Sequence, residues 1–127
     1  MTAALSATSV IRLGEVPSNA LVTEVWFQSA AQAGGTVDVG VYRNNKDGGA
    51  VVDADFFASA IAVTAAVALT NITNESGVNT IAKQNQPLWQ ALGMSADPKA
   101  MLDICATIAT DITTGTGALG VRFRFVQ

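Results

Sequence analysis

The sequence predicts an all-β fold, an antiparallel β-sandwich of about eight strands with one or two short helices. Residues 118–126 alternate apolar and other side chains with a period of two, the pattern of a strand with one face in a core. Residues 20–28 and 101–109 repeat this pattern, and turn residues separate such segments. Because a strand with an apolar face needs a second apolar layer to cover it, we expect a facing sheet.

The chain begins with a segment of small and polar residues, 1–8, that has little to bury. We predict a flexible arm there, or an element that a neighbouring subunit orders. Residues 9–127 are predicted to form one domain, because no linker or internal repeat interrupts them and the chain is long enough to bury a sizeable core.

The first half of the chain contains three predicted strands. The first covers residues 9–13 and is closed by Gly14 and a turn around Pro17. The second, residues 20–28, is expected to turn four side chains to the core: Leu21, Thr23, Val25 and Phe27. The third, residues 36–43, is expected to bury three valines, and residues 44–49 form a turn.

Two short helices are predicted. Asp53 can cap the first, through about Ser59, because its carboxylate accepts free amide hydrogens of a first turn. The second begins at Pro87 and ends at Gly93. Between them, the β-branched residues of 63–69 favour a strand over a helix.

Two further strands are predicted near the end of the chain. Residues 101–109 are expected to bury Leu102, Ile104, Ala106 and Ile108. The last strand is expected to bury Leu119, Val121, Phe123 and Phe125, with Arg122 and Arg124 on its other face. Cys105 lies beside polar neighbours and has no basic neighbour in sequence to lower its pKa, so we expect an inert thiol.

Composition argues against several classes of function. The net charge of −3 and the scattered basic residues argue against nucleic-acid binding. Histidine, the commonest general base and transition-metal ligand, is absent. We therefore expect no enzyme activity, no cofactor and no metal, and a capping role explains Asp53 and Asp55 more simply than a catalytic carboxylate pair. No apolar run approaches the length of a membrane span, so no membrane partner is expected.

Three residues are candidates for an interface: Trp26, Arg122 and Arg124. Trp26 lies between Glu24 and Gln28 on a face too polar for an interior, and tryptophan is enriched at interface hot spots. The alternative for Trp26 is a contact with a loop of its own subunit. The two arginines stand about 7 Å apart along one strand, where they could engage carboxylates of a partner or serve as solvated charges that protect an edge strand. Charged residues make up only 13% of the chain, which suits a surface partly covered by neighbours.

Several segments resemble a family of small tailed-bacteriophage head proteins, the decoration or cement proteins encoded beside the major capsid protein. The segments that carry the resemblance are 39–43 (VGVYR), 49–60 (GAVVDADFFASA), 75–77, 86–96 (QPLWQALGMSA) with Asp97 and Pro98, and 121–125. The resemblance implies a jelly-roll-like β-sandwich without enzyme activity.

The resemblance also implies a location and partners. We expect a protein made in the host cytoplasm that binds the outer surface of the virion capsid across adjacent major capsid protein subunits. We also expect it to form a homodimer or homotrimer. The alternative is a carbohydrate-binding or tail-associated adhesion module, because sandwich folds serve both purposes.

Overall fold

The computed structural model describes residues 7–32, 34–112 and 118–126, which form two antiparallel sheets. The four-stranded sheet has the order β1-β6-β3-β4 and the three-stranded sheet the order β5-β2-β7. The strands are β1 (Val10–Pro17), β2 (Leu21–Ser29), β3 (Thr36–Arg43), β4 (Val51–Ala62), β5 (Val67–Asn71), β6 (Met101–Thr110) and β7 (Leu119–Val126). One short α-helix, α1 (Leu88–Ala91), and two 3-10 turns, Asn45–Asp47 and Ile81–Lys83, join them. The prediction of an antiparallel all-β fold is confirmed.

Both sheets contribute side chains to one hydrophobic cluster. β3 and β6 supply the alternating residues predicted for them, which are buried: Val37, Val39, Val41, Leu102, Ile104, Ala106 and Ile108. From the three-stranded sheet, Val25 and Phe27 are fully buried. Burial of a large aliphatic or aromatic side chain contributes about 1.5–3 kcal/mol, so this shared cluster holds the sheets together.

A bulge in β2 changes which of its residues face the core. Val22 pairs with Phe125 and Glu24 with Arg124, so Thr23 is an extra residue in β2. Val22 consequently packs against the cluster, whereas Thr23 is exposed. The prediction that Thr23 faces the core is therefore wrong. The prediction for Leu21 is also wrong, because Leu21 pairs with the exposed Val126 and is not part of the cluster.

The last strand faces the core on the predicted side, but incompletely. Leu119, Val121 and Phe123 pack against the cluster, and Phe125 is 39% exposed near the end of this edge strand. The expected burial of Phe125 is therefore wrong. Its ring instead stacks against Phe123 with centroids 6.3 Å apart.

The predicted helix from Asp53 to Ser59 is wrong, because these residues belong to β4. The twelve residues of β4 lie along a stretch of only seven residues of β3, Thr36 to Tyr42, and three register shifts accommodate the extra residues. These irregularities let the consecutive residues Phe56, Phe57 and Ala58 all be buried, which a regular strand with a period of two would not allow.

β1 is longer than predicted because Gly14 does not end it. The strand passes through a register shift between Arg12 and Gly14 and continues to Pro17. A Cβ atom at Gly14 would lie 2.6 Å from the ring of Phe123. The missing side chain therefore admits an aromatic ring from β7 rather than terminating a strand.

The segments around β5 agree with the predictions in part. β5 begins at Val67, and Val63 is a buried residue between β4 and β5 rather than part of a strand. The helix predicted from Pro87 is confirmed as α1, and Gly93 has the positive φ of 82° that suits a helix end. Residues 1–6 of the predicted arm lie outside the described residues, whereas the Thr8 amide donates to the Ile108 carbonyl at 2.7 Å.

We predict that Gly40→Ala destabilises the protein by about 2 kcal/mol or more, because a Cβ atom there would overlap the backbone of Asp53 and Ala54. Gly120→Ala is the control, since a Cβ atom at Gly120 meets no heavy atom within 4 Å. Urea denaturation measures both variants. Equal stability of the two variants would contradict the close approach of β4 to β3.

Candidate functional site: the outer face of the three-stranded sheet

The register of β2 against β7 brings the three predicted interface residues together. Trp26 lies directly opposite Arg122, and Glu24 lies opposite Arg124. Leu69 of β5 joins them in lining a shallow groove of about 190 Å³. We call these five residues, Glu24, Trp26, Leu69, Arg122 and Arg124, the outer face.

The two arginines of the outer face differ in their partners. The Nε atom of Arg124 lies 3.1 Å from the Oε1 atom of Glu24. Arg122 is exposed, and no ion pair joins it to a described residue. Sequence spacing predicted that the arginines share a face, but Glu24 pairs with only one of them.

Trp26 is half-buried in the groove, and Leu69 beside it is 39% exposed. An apolar centre of this kind, bordered by charged side chains, has the composition of a protein interface. The sequence identified Trp26 and both arginines. It did not identify Leu69, because the apolar run 61–70 gives no clear indication of which residues face outward.

A polar cluster that the sequence did not reveal lies on the four-stranded sheet. Arg12 forms a salt bridge with Asp103, and the Asp103 side chain is 5% exposed. The Arg12 guanidinium also donates to the carbonyls of Arg43 and Gly49 at 3.0 and 3.2 Å, and Asn44 donates to Asp103 at 3.0 Å. This cluster ties β1 and β6 to the turn after β3. The available signal was one charged residue in each of two otherwise mostly apolar predicted strands, Arg12 in 9–13 and Asp103 in 101–109.

Cys105 is fully buried beside this cluster. Burial raises the pKa of the thiol to about 11, and the negative charge of Asp103 adds to this effect while Arg12 opposes it. At neutral pH the thiol is therefore protonated and shielded from solvent, which agrees with the expectation of an inert cysteine.

Asp53 and Asp55 lie together on β4, and the Asp55 amide donates to the Asp53 carboxylate at 3.3 Å. Burial raises the pKa of Asp53, and Asp55 contributes further through a side-chain hydrogen bond and its negative charge. The helix-capping role predicted for Asp53 is wrong, since it lies in a strand. Within residues 7–32, 34–112 and 118–126, no group of three or more His, Cys, Asp or Glu side chains could hold a metal ion.

The buried Arg12–Asp103 ion pair and the surface Glu24–Arg124 ion pair can be compared for their contributions to stability. We predict that Asp103→Asn destabilises the protein by about 3 kcal/mol, because it leaves the Arg12 guanidinium without its counter-ion. Glu24→Gln should cost less than about 1 kcal/mol, because its partner Arg124 is 76% exposed. Urea denaturation at pH 7 measures both changes. A larger loss of stability for Glu24→Gln than for Asp103→Asn would contradict the conclusion that the buried ion pair matters more to folding than the surface ion pair.

We predict that Asp53→Asn stabilises the protein at pH 7 and that the gain disappears near pH 3. Because folding raises the pKa of Asp53 above its ordinary value of 3.8, its stabilising contribution is present below that pH and is lost as pH rises through the folded pKa. Asn remains neutral throughout. Thermal denaturation at both pH values tests this, and an equal gain at pH 3 would attribute the effect to packing.

Comparisons with known proteins assign no function to the outer face. No family model, characterised protein or solved structure matches the chain. Among the described residues, no helix is long and apolar enough to span a membrane. A functional proposal can be based on the outer face. It has a groove, and its Arg122 has no ionic partner among the described residues.

Proposed function

We propose that the protein is a non-enzymatic structural subunit that decorates a tailed-bacteriophage capsid. In this proposal it binds the outer surface of the capsid across adjacent major capsid protein subunits. The observation that carries the proposal is the outer face, where Trp26 and Leu69 form an apolar centre beside Arg122. The sequence resemblance to decoration proteins supports it.

A jelly-roll-like β-sandwich is part of the proposal. It is supported by two antiparallel sheets that contribute to one hydrophobic cluster. The absence of enzyme activity is also proposed, and the burial and raised pKa of Cys105 support it by making the thiol a poor nucleophile.

Stabilisation of the capsid follows from mass action. A subunit that binds only the assembled shell lowers the free energy of the shell relative to its dissociated subunits. A homodimer or homotrimer would place several outer faces on neighbouring capsid subunits at once and so raise the effective concentration of each contact. Synthesis in the host cytoplasm and final location on the virion surface belong to the same proposal.

We predict that this protein co-sediments with empty capsids and raises the temperature at which they disrupt. The capsids should be assembled from the major capsid protein encoded beside this chain, as the resemblance suggests. Differential scanning calorimetry with and without the protein measures stabilisation, since a ligand of the assembled state shifts its transition upward. Absence of co-sedimentation, together with binding on a glycan array, would favour the adhesion module instead.

We also predict that Trp26→Ala weakens capsid binding by more than about 1 kcal/mol if Trp26 is a hot spot. Ile81→Ala is the control, because Ile81 is 81% exposed and lies on a 3-10 turn outside the outer face. A binding titration by co-sedimentation compares the two variants, with circular dichroism to verify folding. An equal loss for both variants would mean that nonspecific apolar contact, rather than the outer face, drives binding.

A further inference from the structure

We infer that the outer face binds an acidic, extended segment of a partner polypeptide. The biological identity of that partner rests on the proposed capsid function. A carboxylate of the segment accepts hydrogen bonds from Arg122. A neighbouring apolar side chain of the same segment enters the groove between Trp26 and Leu69.

Arg122 is the group that selects an acidic partner. Its neighbour Arg124 already has a counter-ion, because Glu24 lies 3.1 Å from it. Arg122 has no such counter-ion among the residues that the structure describes. A planar guanidinium can donate two parallel hydrogen bonds to a carboxylate, which adds geometric specificity to charge attraction.

The positions of Trp26 and Arg122 indicate the shape of the segment. The two residues are direct cross-strand neighbours, so their Cβ atoms are separated by about 5 Å. In an extended chain, residues i and i+2 lie on one side and about 7 Å apart. An acidic and an apolar residue with that spacing can therefore reach Arg122 and the groove together.

Charge favours a different polypeptide over a second copy of the same face. Arg122, Arg124 and Glu24 together carry one net positive charge at neutral pH, whereas the whole chain carries −3. Two outer faces placed against each other would double that positive charge without adding a free carboxylate. A partner that brings its own carboxylate instead neutralises Arg122.

The chemistry of the groove also favours a polypeptide over a carbohydrate. Sugar hydroxyl groups both donate and accept hydrogen bonds, so a carbohydrate site needs available acceptors as well as donors. The one carboxylate on the outer face, Glu24, is already paired with Arg124, and Leu69 supplies only apolar contact. An acidic and apolar segment uses the groups that this face leaves available.

The test uses Trp26 as its own reporter. The chain has two tryptophans, so Trp89→Phe leaves Trp26 as the single tryptophan, whose fluorescence is excited selectively at a wavelength that tyrosine does not absorb. Two blocked nine-residue peptides, identical except that one has Glu and the other Gln two residues from a Leu, are titrated at low salt. We expect the Glu peptide to alter the Trp26 emission and to bind at least about fivefold more tightly than the Gln peptide. Arg122→Gln should remove this preference, whereas Arg124→Gln should retain most of it.

Four results would each overturn the inference: no response of Trp26 at millimolar Glu peptide, equal binding of both peptides, loss of preference in Arg124→Gln alone, or a response only to a carboxylated oligosaccharide. Self-association that Arg122→Gln abolishes, without peptide binding, would assign the outer face to a second copy and also overturn the inference.

The capsid experiment tests the decoration role independently of the acidic-segment site. Selective peptide binding without capsid binding rejects the decoration role and retains the acidic-segment site, and capsid binding that Arg122→Gln leaves unchanged rejects only the site.

Discussion

The hydrophobic cluster to which both sheets contribute is the interaction on which the other features of the structure depend. β2, β3, β4 and β6 each supply fully buried side chains to it, and β7 packs against it. The departures from regular strand geometry serve this packing. The extra residue at Thr23 lets Val22 reach the cluster, and the irregular pairing of β4 lets Phe56 and Phe57 be buried in succession. Because buried apolar area dominates the stability of a small domain, strands depart from regular geometry where the departure buries more apolar surface.

The same constraint explains how the structure accommodates polar groups. Burial of an unpaired polar atom would offset the gain from packing, and no buried side-chain nitrogen or oxygen in residues 7–32, 34–112 and 118–126 lacks a hydrogen-bond partner. Asp103 is buried, and its charge and hydrogen-bonding capacity are satisfied by Arg12 and Asn44. The Thr73 hydroxyl likewise accepts a hydrogen bond from the Val25 amide at 2.8 Å. These contacts join distant segments, so they add specificity to the non-directional packing of the cluster.

Packing of one side of β2 and β7 leaves the other side available for recognition. Because alternate residues of a strand point to opposite faces, the burial of Val25 and Phe27 places Trp26 outward. Regular pairing with β7 then sets Trp26 opposite Arg122. The outer face is therefore held by a rigid element rather than by a loop, which lowers the conformational entropy lost when a partner binds.

The sequence alone determined which segments with clear alternation form strands, the core-facing residues of β3 and β6, and the turn after β3. β3 and β6 agree with expectation because their apolar residues alternate without interruption, and Trp26, Arg122 and Arg124 were identified because they lie on the faces of their strands opposite the predicted core. Only the tertiary structure decided that residues 53–59 form a strand, since their pairing with β3 outweighs the local preference for a capped helix. It also decided that Arg12 meets Asp103 and that Glu24 pairs with Arg124 rather than Arg122. Those contacts depend on strand order and register, which local periodicity does not encode.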